Sequence, residues 1–166
     1  MALTKINNNT LSAITGLPAG VGGKVLQYKY ASTATPVTVT SNTFTDVGIT
    51  ASITPTSASN TIYIDVNCPD NRKETGNTNM NVKVYRQING GGYSALGFIT
   101  AGFGYTGSTA MMTAGVSGVI ADTSHNTTTQ VDYKIYINSG QNTARAKLNV
   151  DGQSTTSIIA YEVATW

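Results

Sequence analysis

Cysteine is almost missing from this chain: Cys68 stands alone in 166 residues. One thiol closes no intrachain disulfide and builds no cysteine zinc cage, so Cys68 is expected to be a small buried or loop thiol. Charge is scarce too, at 11% of residues, with ten basic side chains against eight acidic ones and a net charge of +2. Arg72-Lys73 is the one adjacent basic pair, and Glu74 follows it. Charges scattered in this way form no stripe for a phosphate backbone, which argues against nucleic acid as a partner. No apolar run approaches the roughly 20 residues that cross a bilayer, so no membrane span is expected. The opening Met1–Thr10 also lacks the continuous apolar core of a secretory signal, so synthesis in the cytoplasm is expected.

Reactive constellations are equally thin. The single histidine, His125, lies in the polar turn Asp122–Thr127 and is expected as a solvated loop residue; no nucleophile elbow accompanies it. The carboxylates Asp46, Asp65, Asp70, Glu74, Asp122, Asp132, Asp151 and Glu162 are widely spaced, with no Asp-x-Asp-x-Asp run for calcium and no spacing that announces a glycosidase pair. The glycine-rich 101–109 has no Gly-Lys-Ser/Thr ending and no following helix, so it is not a phosphate loop. The expectation is therefore no enzyme, no cofactor and no metal.

What the chain does have is alternation. Val47/Ile49/Ala51/Ile53 and Ile62/Ile64/Val66 flank the Pro55–Asn60 turn as two half-buried strands. Val25–Tyr30 alternates as well, with Leu26, Tyr28 and Tyr30 on one side, and Pro36 opens a strand over 37–40, where a missing donor does least harm. Asn81–Ile88 and Tyr93–Ile99 bracket Asn89-Gly90-Gly91-Gly92, a hairpin signature. Met111, Met112, Val116, Val119 and Ile120 read as core strand, and Val131–Ile137, Ala144–Val150 and Ser157–Ala164 supply three more strands. Residues 67–79 and 101–109 read as loops. Low charge argues against disorder, and Thr, Val, Ile and Tyr favour pleated sheet. The fold class expected is all-β, an antiparallel β-sandwich or jelly roll spanning 24–166, preceded by an extended arm over 1–23 whose isolated apolar residues Leu3, Ile6, Leu11, Ile14 and Leu17 suit docking onto another surface.

Several segments carry a family resemblance: Gly23–Gln27, Phe44–Ile49 with Ser52–Pro55 and Ser59–Ile62, Ala121–Thr123 before Val131–Lys134, and the closing Ser157–Val163. Together they resemble the β-sandwich domains of tailed-phage virion proteins, such as capsid decoration (cement) proteins and fibre tips of phages of cyanobacteria and other aquatic bacteria. Tyr161 departs from that pattern, where methionine often precedes the glutamate. The resemblance implies a homotrimeric structural protein of the virion's capsid surface. One short arm and one domain favour decoration, with the arm on the major capsid protein. Tyr28, Tyr30, Tyr161 and Trp166 are the candidate trimer-interface aromatics. The alternative is a receptor-binding tip whose loops, with Arg72, Lys73, Phe103 and Tyr105, touch a host receptor or glycan. Depolymerisation of surface polysaccharide ranks last.

Overall fold

In the computed structural model, residues 24–107, 111–142 and 144–165 are described. They form ten strands: β1 Val25–Thr33, β2 Val37–Val39, β3 Thr45–Ile53, β4 Thr61–Lys73, β5 Thr78–Ile88, β6 Ser94–Thr106, β7 Met112–Asp122, β8 Val131–Ser139, β9 Ala146–Leu148 and β10 Thr156–Val163. All pairings are antiparallel. One sheet runs β1-β10-β4-β9-β2 with β7 on the other flank of β4; the second runs β3-β8-β5-β6. The chain is an all-β antiparallel sandwich.

Period-two alternation decides which side of each strand faces the core. Val47, Ile49, Ala51 and Ile53 on β3 and Val131, Tyr133, Ile135 and Ile137 on β8 meet Ile62, Ile64 and Val66 on β4 and Ile158 and Ala160 on β10, all buried. Each fully buried aliphatic side chain of this kind is worth about 1.5–3 kcal/mol. Cys68 belongs to the same core, and burial pushes its thiol up to about 12, so it is unreactive. Between β5 and β6 the chain turns through Asn89 and Gly90, both at positive φ (47° and 73°), as the hairpin signature requires.

Four expectations are corrected. Residues 67–73 are not loop: β4 runs through them, because a register shift between Cys68 and Asn71 accommodates Pro69, and Asn71 Nδ2 donates to the Cys68 carbonyl at 2.6 Å. Gly115 lies opposite, where any Cβ would crowd the Pro69 carbonyl at 3.2 Å. Residues 101–106 are likewise strand, not loop. Gly102 and Gly104 take positive φ and absorb irregularities of β6 against β5 without ending it. Met111, Met112 and Val119 are exposed, not core: among the described residues β7 pairs only with β4, Val119 stands on its outer side in register with Asp65, and Met112, although it lies against Gly104 of β6, is left uncovered at the start of the strand. The 144–150 strand shrinks to Ala146–Leu148.

A polar clasp crosses the sandwich. Arg86 on β5 donates to both oxygens of the buried Asp122 at the end of β7 (2.7 and 2.9 Å), and the Tyr133 hydroxyl donates to the same carboxylate at 2.8 Å. Burial alone would raise the Asp122 pKa; the Arg86, Ser124 and Tyr133 hydrogen bonds outweigh it and hold the carboxyl below its ordinary range. Burial, with Asp122 beside it, pushes the Tyr133 phenol well up.

Candidate functional site

Antiparallel register assembles a tyrosine face on the outside of the first sheet. Tyr28 lies opposite Tyr161, and Tyr161 lies opposite Tyr63, so three neighbouring strands place tyrosines in one row. Tyr63 and Tyr161 stack at 5.6 Å with an interplanar angle of 16°. The next row reads Tyr30, Ile159, Asp65 and Val119. Tyr28 and Tyr30 are 68% and 58% exposed; Leu26 on the same strand and Val119 at the far end of the second row are exposed as well. Asp65 interrupts the second row, so the apolar part of the face is centred on the tyrosines of β1, β10 and β4.

The edge of this face is braced from inside. Glu162 is fully buried and accepts from Thr56 N and Oγ1 (both 2.8 Å), Asn60 Nδ2 (2.6 Å) and Gln27 Nε2 (2.8 Å). Burial opposes its ionisation, but hydrogen bonds from Asn60, Gln27 and Thr56 prevail and lower its pKa. One carboxylate thus ties β1, β10 and the 54–60 turn together.

Of the residues singled out in the sequence, Tyr28, Tyr30 and Tyr161 come together on this face. Leu3, Ile6, Leu11, Ile14, Leu17 and Trp166 lie outside the described residues. The recognition-loop set does not assemble. Lys73 is fully buried at the end of β4, donating to the Thr75 carbonyl and to Thr106 Oγ1, and therefore faces no partner. Arg72 is a strand residue whose Nε donates to Thr113 Oγ1 at 3.0 Å. Phe103 is half-buried and packs against the core. Only Tyr105 is well exposed, with its hydroxyl on Asn77 Oδ1 at 2.9 Å.

His125 is also corrected: it is 2% exposed, not solvated, with Nε2 2.8 Å from the Asn60 carbonyl and Nδ1 3.2 Å from the Thr127 carbonyl. Both ring nitrogens are occupied by backbone, so Ser124 and Asp122 nearby in sequence form no relay with it. Among the described residues no group of three His, Cys, Asp or Glu side chains is placed to hold a metal, and no helix is long and apolar enough to cross a membrane.

Sequence reasoning missed Tyr63, Ile159 and Glu162. Their alternation was visible, but their partners are set by a strand order that places β10 between β1 and β4.

No protein-family model and no curated protein matches the sequence. Solved structures with a related arrangement include the infectious bursal disease virus Gx strain (TM-score 0.47, 14% identity) and the infectious bursal disease virus VP2 subviral particle (TM-score 0.47, 12% identity). Both alignments cover 85% of this chain and 38% of the neighbour, so the chain spans well under half of their length.

Proposed function

We propose that this chain is a structural virion protein of a tailed bacteriophage, a homotrimeric capsid decoration protein that attaches to the major capsid protein through residues 1–23. The observation that carries the reading is the tyrosine face: Tyr28 and Tyr30 stand largely in water, in register with Tyr161 and Tyr63. Three copies turning this face toward a threefold axis would remove the rings from water, and aromatic anchors of this kind concentrate interface energy. The segment carrying Leu3, Ile6, Leu11, Ile14 and Leu17 enters the fold at β1, the edge strand of the same face. Trimerisation then multiplies a weak attachment, since three tethered arms bind as one multivalent unit.

The receptor-tip reading loses support from the same structure, because its presumed loops are largely strands and Lys73 is buried. Production in the host cytoplasm and residence on the capsid surface follow from the decoration reading. Deleting residues 1–23 should leave a folded trimer that no longer sediments with capsids. Full decoration of heads by the truncated protein would refute the attachment role. The double variant Tyr28→Ser/Tyr30→Ser should sediment as a folded monomer, with a melting temperature lowered only by the loss of the stabilisation that assembly supplies; persistence of the trimer would remove the tyrosine face from the interface.

A further inference from the structure

The outer face of the β3-β8-β5-β6 sheet carries a second and chemically different surface. Register sets Asp46, Tyr136, Lys83 and Phe98 across its four strands, with Lys134 and Tyr85 in the adjoining row. Tyr85 and Tyr136 approach to 4.2 Å between ring centroids; Phe44, just before β3, reaches Tyr85 at 6.1 Å and Phe98 at 6.0 Å. Lys83 Nζ lies over both Phe98 (3.9 Å) and Phe44 (4.6 Å). Phe98 is 49% exposed.

The two lysines differ. Lys134 Nζ is neutralised by Asp46 at 2.7 Å. Lys83 has no carboxylate within ion-pair distance among the described residues, so its ammonium is a fixed cation held by rings alone, with N–H donors left to give. We propose that this face binds a carboxylated polysaccharide, with sugar rings laid on Phe98 and the neighbouring tyrosines and a uronate carboxylate on Lys83.

Ring faces are negative at the centre and attract the polarised C–H bonds of a pyranose. A flat sheet face suits an extended polymer better than a small molecule, which needs a concave site. Single-stranded nucleic acid also stacks on aromatics, but it brings a phosphate per nucleotide and requires a basic groove along the backbone. Here one lysine is already paired and Asp132 adds negative charge, so one carboxylate per repeat is the better match. The face lies on the sheet opposite the tyrosine row, and the proposal stands whether or not the assembly described above is correct.

The test is affinity electrophoresis of the full-length protein through gels holding alginate, polygalacturonate or hyaluronan, with dextran and oligothymidylate as comparisons. At least one uronate polymer should retard the protein, whereas dextran and oligothymidylate should not. Lys83→Gln should weaken retention roughly tenfold or more, the scale of losing a charge-assisted hydrogen bond. Phe98→Ala should also weaken it. Lys83→Gln removes no buried apolar group, so its melting temperature serves as the control for folding. Passage unretarded through all three uronate gels, equal retention by dextran, tighter binding of oligothymidylate, or undiminished retention of folded Lys83→Gln would each overturn the proposal.

Discussion

On the outside of the β1-β10-β4-β7 surface, tyrosines stand in rows and two of them are mostly in water; on the outside of β3-β8-β5-β6, the rings crowd together and lysines lie over them. Both faces come from the same alternation, with an aliphatic side chain inward and a larger amphipathic one outward. They differ in what restrains the outward residues. Phe44, Tyr85, Tyr93, Phe98 and Tyr136 are packed by one another and by Lys83 and Lys134, so much of their surface is already covered within one subunit. Tyr28 and Tyr30 have no such cover, and a second protein surface is the natural way to supply it. Under the two proposals above, one face would serve assembly and the other would stay preorganised for a ligand.

The comparison is broken most completely by a change that both sheets share. Asp122→Ala removes the carboxylate that Arg86 and Tyr133 converge on, leaving a largely buried guanidinium unpaired. The expected cost is about 3–5 kcal/mol, measured by denaturant unfolding, with both faces losing hydrogen-exchange protection together. Loss confined to the 122–127 turn would mean that the clasp is local and the sheets hold each other by apolar contact alone.

A smaller effect should touch only the tyrosine side. Glu162→Gln keeps one accepting oxygen but turns an NH2 toward the donors of Gln27, Thr56 and Asn60, costing about 1–3 kcal/mol. Amides of β1 and the 54–60 turn should exchange faster while β5 and β8 are unchanged. Because the folded pKa of Glu162 is depressed, its contribution is complete above the ordinary carboxylate pKa of about 4 and is lost as pH falls through the lower folded value. The Gln variant should therefore lose less stability than the parent on acidification below about pH 4.

The layout of the core was legible because Val47–Ile53, Ile62–Val66 and Val131–Ile137 follow period two without interruption, and burial obeys it. Pro69 and the glycines at 102 and 104 misled, since the residues that usually end strands can instead be housed in bulges, and only a paired neighbour reveals which. His125 misled for a different reason: its burial depends on the carbonyl of Asn60, far away in the chain. The tyrosine row was half legible. Tyr28, Tyr30 and Tyr161 could be picked by residue type, whereas Tyr63 joins them only through the register of β10 against β4. The Lys83/Tyr85 and Lys134/Tyr136 pairs, each two residues apart on a polar strand side, were the available sign of the second face; their meeting required β5 and β8 to be neighbours.

The mildest change addresses that second face alone. Lys134 and Asp46 form an ion pair at 2.7 Å with side chains 22% and 31% exposed, so solvent screens it and its removal should cost only about 0.2–1 kcal/mol. The hydrogen bond that Lys134 Nζ donates to Asp46 is the main reason the Lys134 pKa lies above its ordinary value. A raised lysine pKa adds stability that is fully present below the unfolded value of about 10.4 and disappears as pH climbs through the folded one. Asp46→Asn should therefore bring the Lys134 titration, followed by NMR at the side-chain ammonium, back toward that ordinary value, with a stability loss that shrinks further in molar salt. It should also leave two uncompensated lysines beside the rings in place of one, and strengthen retention on a uronate polymer. If retention fell instead, Asp46 would have to act by holding Lys134 over Tyr93, making the position of the ring and its lysine, not the net charge of the face, the property that matters for binding.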